Sequence, residues 1–138
     1  MNSKEYEIAV VDGGIAGAAA ALQAARMGMK TVLIEKSALS GGLATGGLIN
    51  SFLPFCDRNG LQVSFGLCKE MFRGSTVYGP GEIPVGWRNK RNGSERKRFI
   101  RVFSPAAFAL IQDEMLDWRR VWMSGIPLQF EGQGIGRP

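Results

Sequence analysis

Apolar and polar positions change their spacing twice in the first 36 residues. Ile8-Ala9-Val10-Val11 is a short apolar run rich in β-branched side chains. Such a run predicts a strand buried in a parallel sheet. The next segment is dominated by alanine: Ala16, Ala18, Ala19, Ala20, Ala21, Ala24 and Ala25. Alanine is the best helix former and leaves a smooth surface, so this segment predicts a helix that packs tightly on the sheet. Gly28 is placed to stop it. Thr31-Val32-Leu33-Ile34 is a second apolar run and ends at Glu35. Strand, helix and strand in this order predict a βαβ unit.

The turn between the first strand and the helix reads Asp12-Gly13-Gly14-Ile15-Ala16-Gly17. Gly14 has no Cβ, so backbone there can approach a phosphate, and Gly17 lets the helix lie close to the strand. The first N–H groups of the helix, together with its dipole, favour an anion. Glu35 follows Gly14 by 21 positions, close to the interval of about 20 at which an acid receives ribose hydroxyls. An acid at that point favours FAD or NAD over a 2′-phosphorylated cofactor. The first glycine of the G-x-G-x-x-G pattern is replaced by Asp12, which brings negative charge to the expected diphosphate position and side-chain bulk to a tight turn. The competing reading of these residues is a βαβ unit that binds no nucleotide.

Beyond Glu35, Gly41-Gly42-Leu43-Ala44-Thr45-Gly46-Gly47 carries four glycines in seven residues and is followed by apolar Leu48-Ile49. We expect a packed loop beside a ligand rather than a linker. Val63, Leu67, Met71 and Phe72 recur at helical spacing and predict a helix from Gly60 to Phe72, with Cys68 as a small core residue. Residues 73–98 contain Pro80, Pro84, several glycines and a basic run, and read as an irregular excursion or hairpin. Phe99 to Phe103 alternates like a strand. Ser104 and Pro105 read as N-cap and first position of a helix running to Asp117, with Phe108, Ile111, Met115 and Leu116 on its apolar face. From Trp118 onward no period is evident, and the glycine-rich end is expected to fray.

Composition narrows the chemistry. The chain has 138 residues, enough for one ordinary domain, and no histidine. His-based metal sites and Ser-His or Cys-His catalysis are therefore excluded for it. Cys56 and Cys68 stand twelve apart without a Cys-x-x-Cys, which suits a reducing cytoplasm and supplies no iron–sulfur framework. The first residues do not form a signal peptide, and no apolar run approaches the ~20 residues of a membrane span. The net charge of +5 owes much to Arg88, Lys90, Arg91, Arg96, Lys97, Arg98 and Arg101. Aromatic residues do not interleave with these charges as single-strand binding requires. We expect a solvated loop there and no nucleic-acid partner.

With these residues in view, the chain resembles the N-terminal part of an FAD-dependent oxidoreductase of the glutathione-reductase-like superfamily. The resemblance rests on residues 10–17, on Ile34-Glu35-Lys36, on Gly41 to Asn50, and on Phe103-Ser104-Pro105-Ala106 opening a helix. It implies an α/β fold: an incomplete Rossmann-like FAD-binding βαβ unit with additional helices and an irregular excursion. It implies that Gly13, Gly14, Ile15, Ala16 and Gly17 face the FAD diphosphate. Glu35 and Lys36 would lie at the adenosine ribose, and Gly42, Leu43, Ala44 and Thr45 along the flavin side. In such enzymes FAD carries the hydride chemistry, and later segments complete the sheet, so no catalytic residue is assigned here.

The parent is expected to be a cytoplasmic enzyme acting on a small organic substrate. The other readings are an NAD-binding Rossmann domain and a non-enzymatic basic binding module. We expect a partial FAD/NAD(P)-binding domain over residues 1–117 and an irregular tail over 118–138. Read two bases on, the codons from Trp118 permit Glu-Ala-Gly-Val-Asp-Val-Trp-Tyr, so we expect that tail to be frameshifted and the parent to be longer. Alone, the chain should be weakly folded and bind FAD poorly.

Overall fold

The computed structural model describes residues 5–53, 55–57, 62–80, 101–117 and 121–124. The first strand, β1 (Ile8–Val11), leads through the glycine turn into α1 (Ile15–Arg26), which returns to β2 (Thr31–Ile34). β1 and β2 pair in parallel, with Ile8 opposite Thr31 and Val11 opposite Ile34. α1 ends as Gly28 requires. Gly28 takes φ +93°, its N–H donates to Ala25 O at 3.0 Å, and the Met29 N–H donates to Ala24 O at 3.2 Å. These two bonds form a Schellman motif, which a glycine in the left-handed region makes possible.

The remaining elements are β3 (Ser51–Phe52), α2 (Leu67–Ser75), β4 (Arg101–Val102), α3 (Pro105–Asp117) and β5 (Val121–Ser124). β3 and β4 form a two-stranded antiparallel ribbon. The main sheet has the order β1-β2-β5, and β5 runs parallel to β2 with Thr31 opposite Val121. The fold is thus α/β, built on a Rossmann-like βαβ start.

One core lies between the sheet and α1: Ala18, Ala21 and Leu22 pack on Leu33 and Leu116, with Val10 beside them. A second, aromatic core is organised by α3. Phe103 and Phe108 lie 5.1 Å apart between ring centres, and Phe52 stands 4.7 Å from Phe103 and 5.3 Å from Phe72. Ser104 opens α3 as its sequence suggests, its hydroxyl accepting the Ala107 N–H at 3.4 Å.

Several expectations change. β1 is not buried on both faces: Ile8 and Val10 are half-buried, whereas Ala9 and Val11 are exposed. Helices cover one face of the sheet only, among the described residues. The helix expected over 60–72 begins at Leu67, because Gly66 takes φ +62° and the chain before it turns back. There the Val63 N–H donates to Phe55 O at 2.8 Å. Cys68 is exposed, while Cys56 is the buried cysteine. The strand expected over 99–103 is described only at Arg101–Val102, and its partner β3 was not foreseen. Residues 121–124 form a strand, so the region from 118 is not irregular throughout. Its pairing comes from backbone hydrogen bonds along β2, which side-chain periodicity does not report. The basic run at 88–98 lies outside the described residues.

Candidate functional site

The glycine turn is held from three sides. On the strand side, the Asp12 N–H donates to Ile34 O at 2.9 Å, extending the β1–β2 ladder by one residue. On the helix side, α1 approaches so closely that a Cβ on Gly17 would sit 1.8 Å from the Asp12 carbonyl oxygen. Only glycine fits there. The third side is the second glycine loop: the Gly41 N–H donates to Gly13 O at 2.8 Å, and Gly14 and Gly41 form a parallel bridge. A Cβ on Gly42 would approach Gly14 Cα to 3.2 Å. The two glycine-rich stretches, 28 residues apart between Gly13 and Gly41, therefore form one surface.

Glu35 leaves the end of β2 and closes over the turn. Its Oε2 accepts the Gly13 N–H at 2.6 Å. Its Oε1 accepts both the backbone N–H of Ser37 at 2.7 Å and the Ser37 hydroxyl at 2.5 Å. The Ser37 hydroxyl and amide, followed by the Gly13 amide, hold the carboxyl below the usual glutamate range, because hydrogen bonds to the charged form favour it. A carboxylate has about four lone-pair positions. Ser37 and Gly13 engage three of them, and the Lys36 amide also lowers the carboxyl.

α1 starts at Gly14, which has no side chain to cap it, and its first turn carries no acid. Helix geometry leaves the N–H groups of that first turn without backbone acceptors. Ile15 and Ala16, at this end, are exposed. Asp12 intrudes on the turn. It takes φ +87°, a conformation that favours glycine, and its Oδ1 accepts the Gly14 N–H at 3.1 Å.

The structure brings Gly13, Gly14, Ile15, Ala16, Gly17, Glu35 and Gly42 together around the start of α1. Gly42 to Ala44 form a single 3-10 turn. Leu43 projects outward, 66% exposed, whereas Ala44 and Thr45 are buried. The Thr45 hydroxyl donates to Ser40 O at 2.6 Å, so that side chain braces the loop. Lys36 is exposed.

Three participants were not foreseen. Ser37 orients Glu35. Asp113 accepts the Ser40 hydroxyl at 3.1 Å and ties the loop to α3. Gln112, 1% exposed, places its amide oxygen 2.7 Å from where a Cβ on Gly41 would lie. Among the described residues, neither polar atom of that side chain has a hydrogen-bond partner. The Asp12–Gly14 contact was legible, since Asp bonding the amide two residues on is a common local pattern. The α3 contacts were not, because 73 positions separate Ser40 from Asp113.

Among the described residues there is no helix long and apolar enough to cross a membrane. Nor is there a group of three or more Cys, Asp or Glu that could hold a metal ion.

Mitochondrial dihydrolipoyl dehydrogenase of Caenorhabditis elegans is 46% identical over 41 residues, which are 30% of this chain and 8% of that protein. The crystal structure of Thermovibrio ammonificans THI4 superimposes with a TM-score of 0.51 at 16% identity, over 87% of this chain and 37% of that one. That likeness is one of fold. The chain spans well under half the length of either protein. The FAD dependent oxidoreductase family model matches residues 7–130. The chain therefore belongs to the FAD-dependent oxidoreductases, a family whose cofactor is FAD.

Proposed function

We propose that this chain is the N-terminal, cofactor-binding portion of a glutathione-reductase-like FAD-dependent oxidoreductase and holds the ADP half of FAD. The observation that carries the reading is the convergence at one point of the Gly13–Gly17 turn, Glu35 and the Gly41–Gly42 loop. The close approach at Gly17 and the outward-facing helix start fit a diphosphate. The position of Glu35, an acid at the end of the second strand and beside the glycine turn, fits a ribose hydroxyl. The backbone of Gly42, Leu43, Ala44 and Thr45 would run beside the cofactor toward its flavin end, with Lys36 at the ribose. Asp12 alone does not fit.

When bound, FAD supplies the hydride and electron chemistry, and the protein orients it. The parent would pass hydride or electrons between a small organic substrate and FAD. Substrate groups and the cover over the flavin would come from other parts of a longer enzyme. Residues 118–138 were expected to be out of frame, but the pairing of β5 with β2 and a family match that runs to residue 130 weigh against a shift at Trp118; sequencing the gene downstream of codon 117 decides that point. Cys56 and Cys68 form no disulfide, which suits a cytoplasmic enzyme.

The test is a titration of FAD with the purified chain, followed by flavin fluorescence and extended to millimolar concentrations. Weak binding is expected, competed by ADP and not by riboflavin, because the contacts go to the ADP half. Competition by riboflavin without competition by ADP would overturn the assignment.

A further inference from the structure

The turn that receives the diphosphate already contains an anion. The Asp12 carboxylate holds the Gly14 N–H at 3.1 Å, and both of its oxygens lie 3.5 Å from the point where a Cβ on Gly14 would stand. Both oxygens therefore lie over the glycine whose bare backbone a phosphate would approach. The Asp12 backbone cannot move aside. Its N–H is bonded to Ile34 O, its carbonyl oxygen is packed against Gly17, and its φ of +87° is set by the turn. For a phosphate to take the Gly14 amide, the carboxylate must give it up. Its charge would then remain beside a group of the same sign.

The Glu35 end is different. Glu35 engages Gly13 and Ser37, not Asp12. A nucleoside without phosphates can use that end and escape the conflict.

We propose that Asp12 is an internal competitor for the cofactor's diphosphate, a specificity-determining residue that selectively weakens diphosphate nucleotides relative to the bare nucleoside. The inference rests on the ADP-binding reading of the site. It goes further by assigning this chain a discrimination set by one side chain.

The experiment measures ADP and adenosine binding by calorimetry to the intact chain and to D12G and D12N, with circular dichroism confirming the fold of each. Glycine accepts the backbone angle and vacates the amide. Asparagine keeps the shape and the hydrogen bond but removes the charge. D12G should bind ADP about tenfold more tightly, the scale of one charge–charge contact at an exposed site, with adenosine changed by less than about twofold. D12N should recover part of the gain. The advantage of both variants should shrink as salt rises.

An unchanged ratio of ADP to adenosine affinity in D12G would overturn the proposal while leaving the site assignment intact. So would an equal gain for both ligands, which would mean that Asp12 acts through the fold. If no form binds either ligand, the nucleotide reading itself fails and the proposal with it.

Discussion

Two glycines in the same βαβ unit are required for different physical reasons. Gly17 is required by space: a methyl group there would meet the Asp12 carbonyl oxygen at 1.8 Å. Gly28 is required by backbone angle, since φ is +93° and, among the described residues, nothing lies within 4 Å of a Cβ placed there. Gly17→Ala should therefore cost about 3 kcal/mol or more, because the strand and helix must separate. Gly28→Ala should cost about 1–2 kcal/mol, the penalty of a left-handed alanine. Urea unfolding of the two variants checks this; equal losses would show that the close approach at Gly17 can relax. Both glycines were legible from their spacing. The side chain at Asp12 was legible as a departure from the pattern, and its hold on Gly14 follows the common local pattern of that residue type.

At the scale of elements, α3 ties the glycine loops to the aromatic core. Phe108 is fully buried and packs against Phe103 and Phe52, while Asp113 on the same helix accepts the Ser40 hydroxyl. The contact between α1 and α2 is of another kind. Arg26 bonds Glu70 with N···O distances of 2.7 and 3.2 Å, but both side chains are more than 40% exposed. Hydrogen bonding to Glu70 raises the Arg26 pKa, and the same contact lowers that of Glu70. Water screens such a pair to at most about 1 kcal/mol. Phe108→Ala should thus cost about 3–5 kcal/mol, and Arg26→Ala less than about 1, as read by denaturant midpoints. A larger effect of Arg26→Ala would give the ion pair a structural role that its exposure argues against. The periodicity of α3 announced its apolar face, but the ribbon of β3 and β4 was hidden, since two-residue strands carry no readable period.

At the scale of the whole molecule, the described sheet has three strands, with β1 at its edge. Val11, on the uncovered face, is 70% exposed. Leu43, Leu48, Ile49, Leu53 and Phe65 are exposed as well. Apolar surface on this scale and an unpaired strand edge favour association. The chain should self-associate at micromolar concentrations in sedimentation velocity. A monomer up to about 50 μM would show that these surfaces are covered within the chain itself.

Local chemistry was settled by the residues in order. A β-branched run makes a strand, alanines make a helix, a glycine without a Cβ permits contact, and an acid ends the second strand. These effects act over a few positions, so one sequence displays them. The tertiary structure decided what no short-range rule carries: that the Gly41 loop seats on Gly13, that α3 braces it through Asp113, and that β5 joins the sheet beside β2. Each depends on closing a long stretch of chain, and the free energy of such closure comes from packing and backbone pairing between segments that share no local signal.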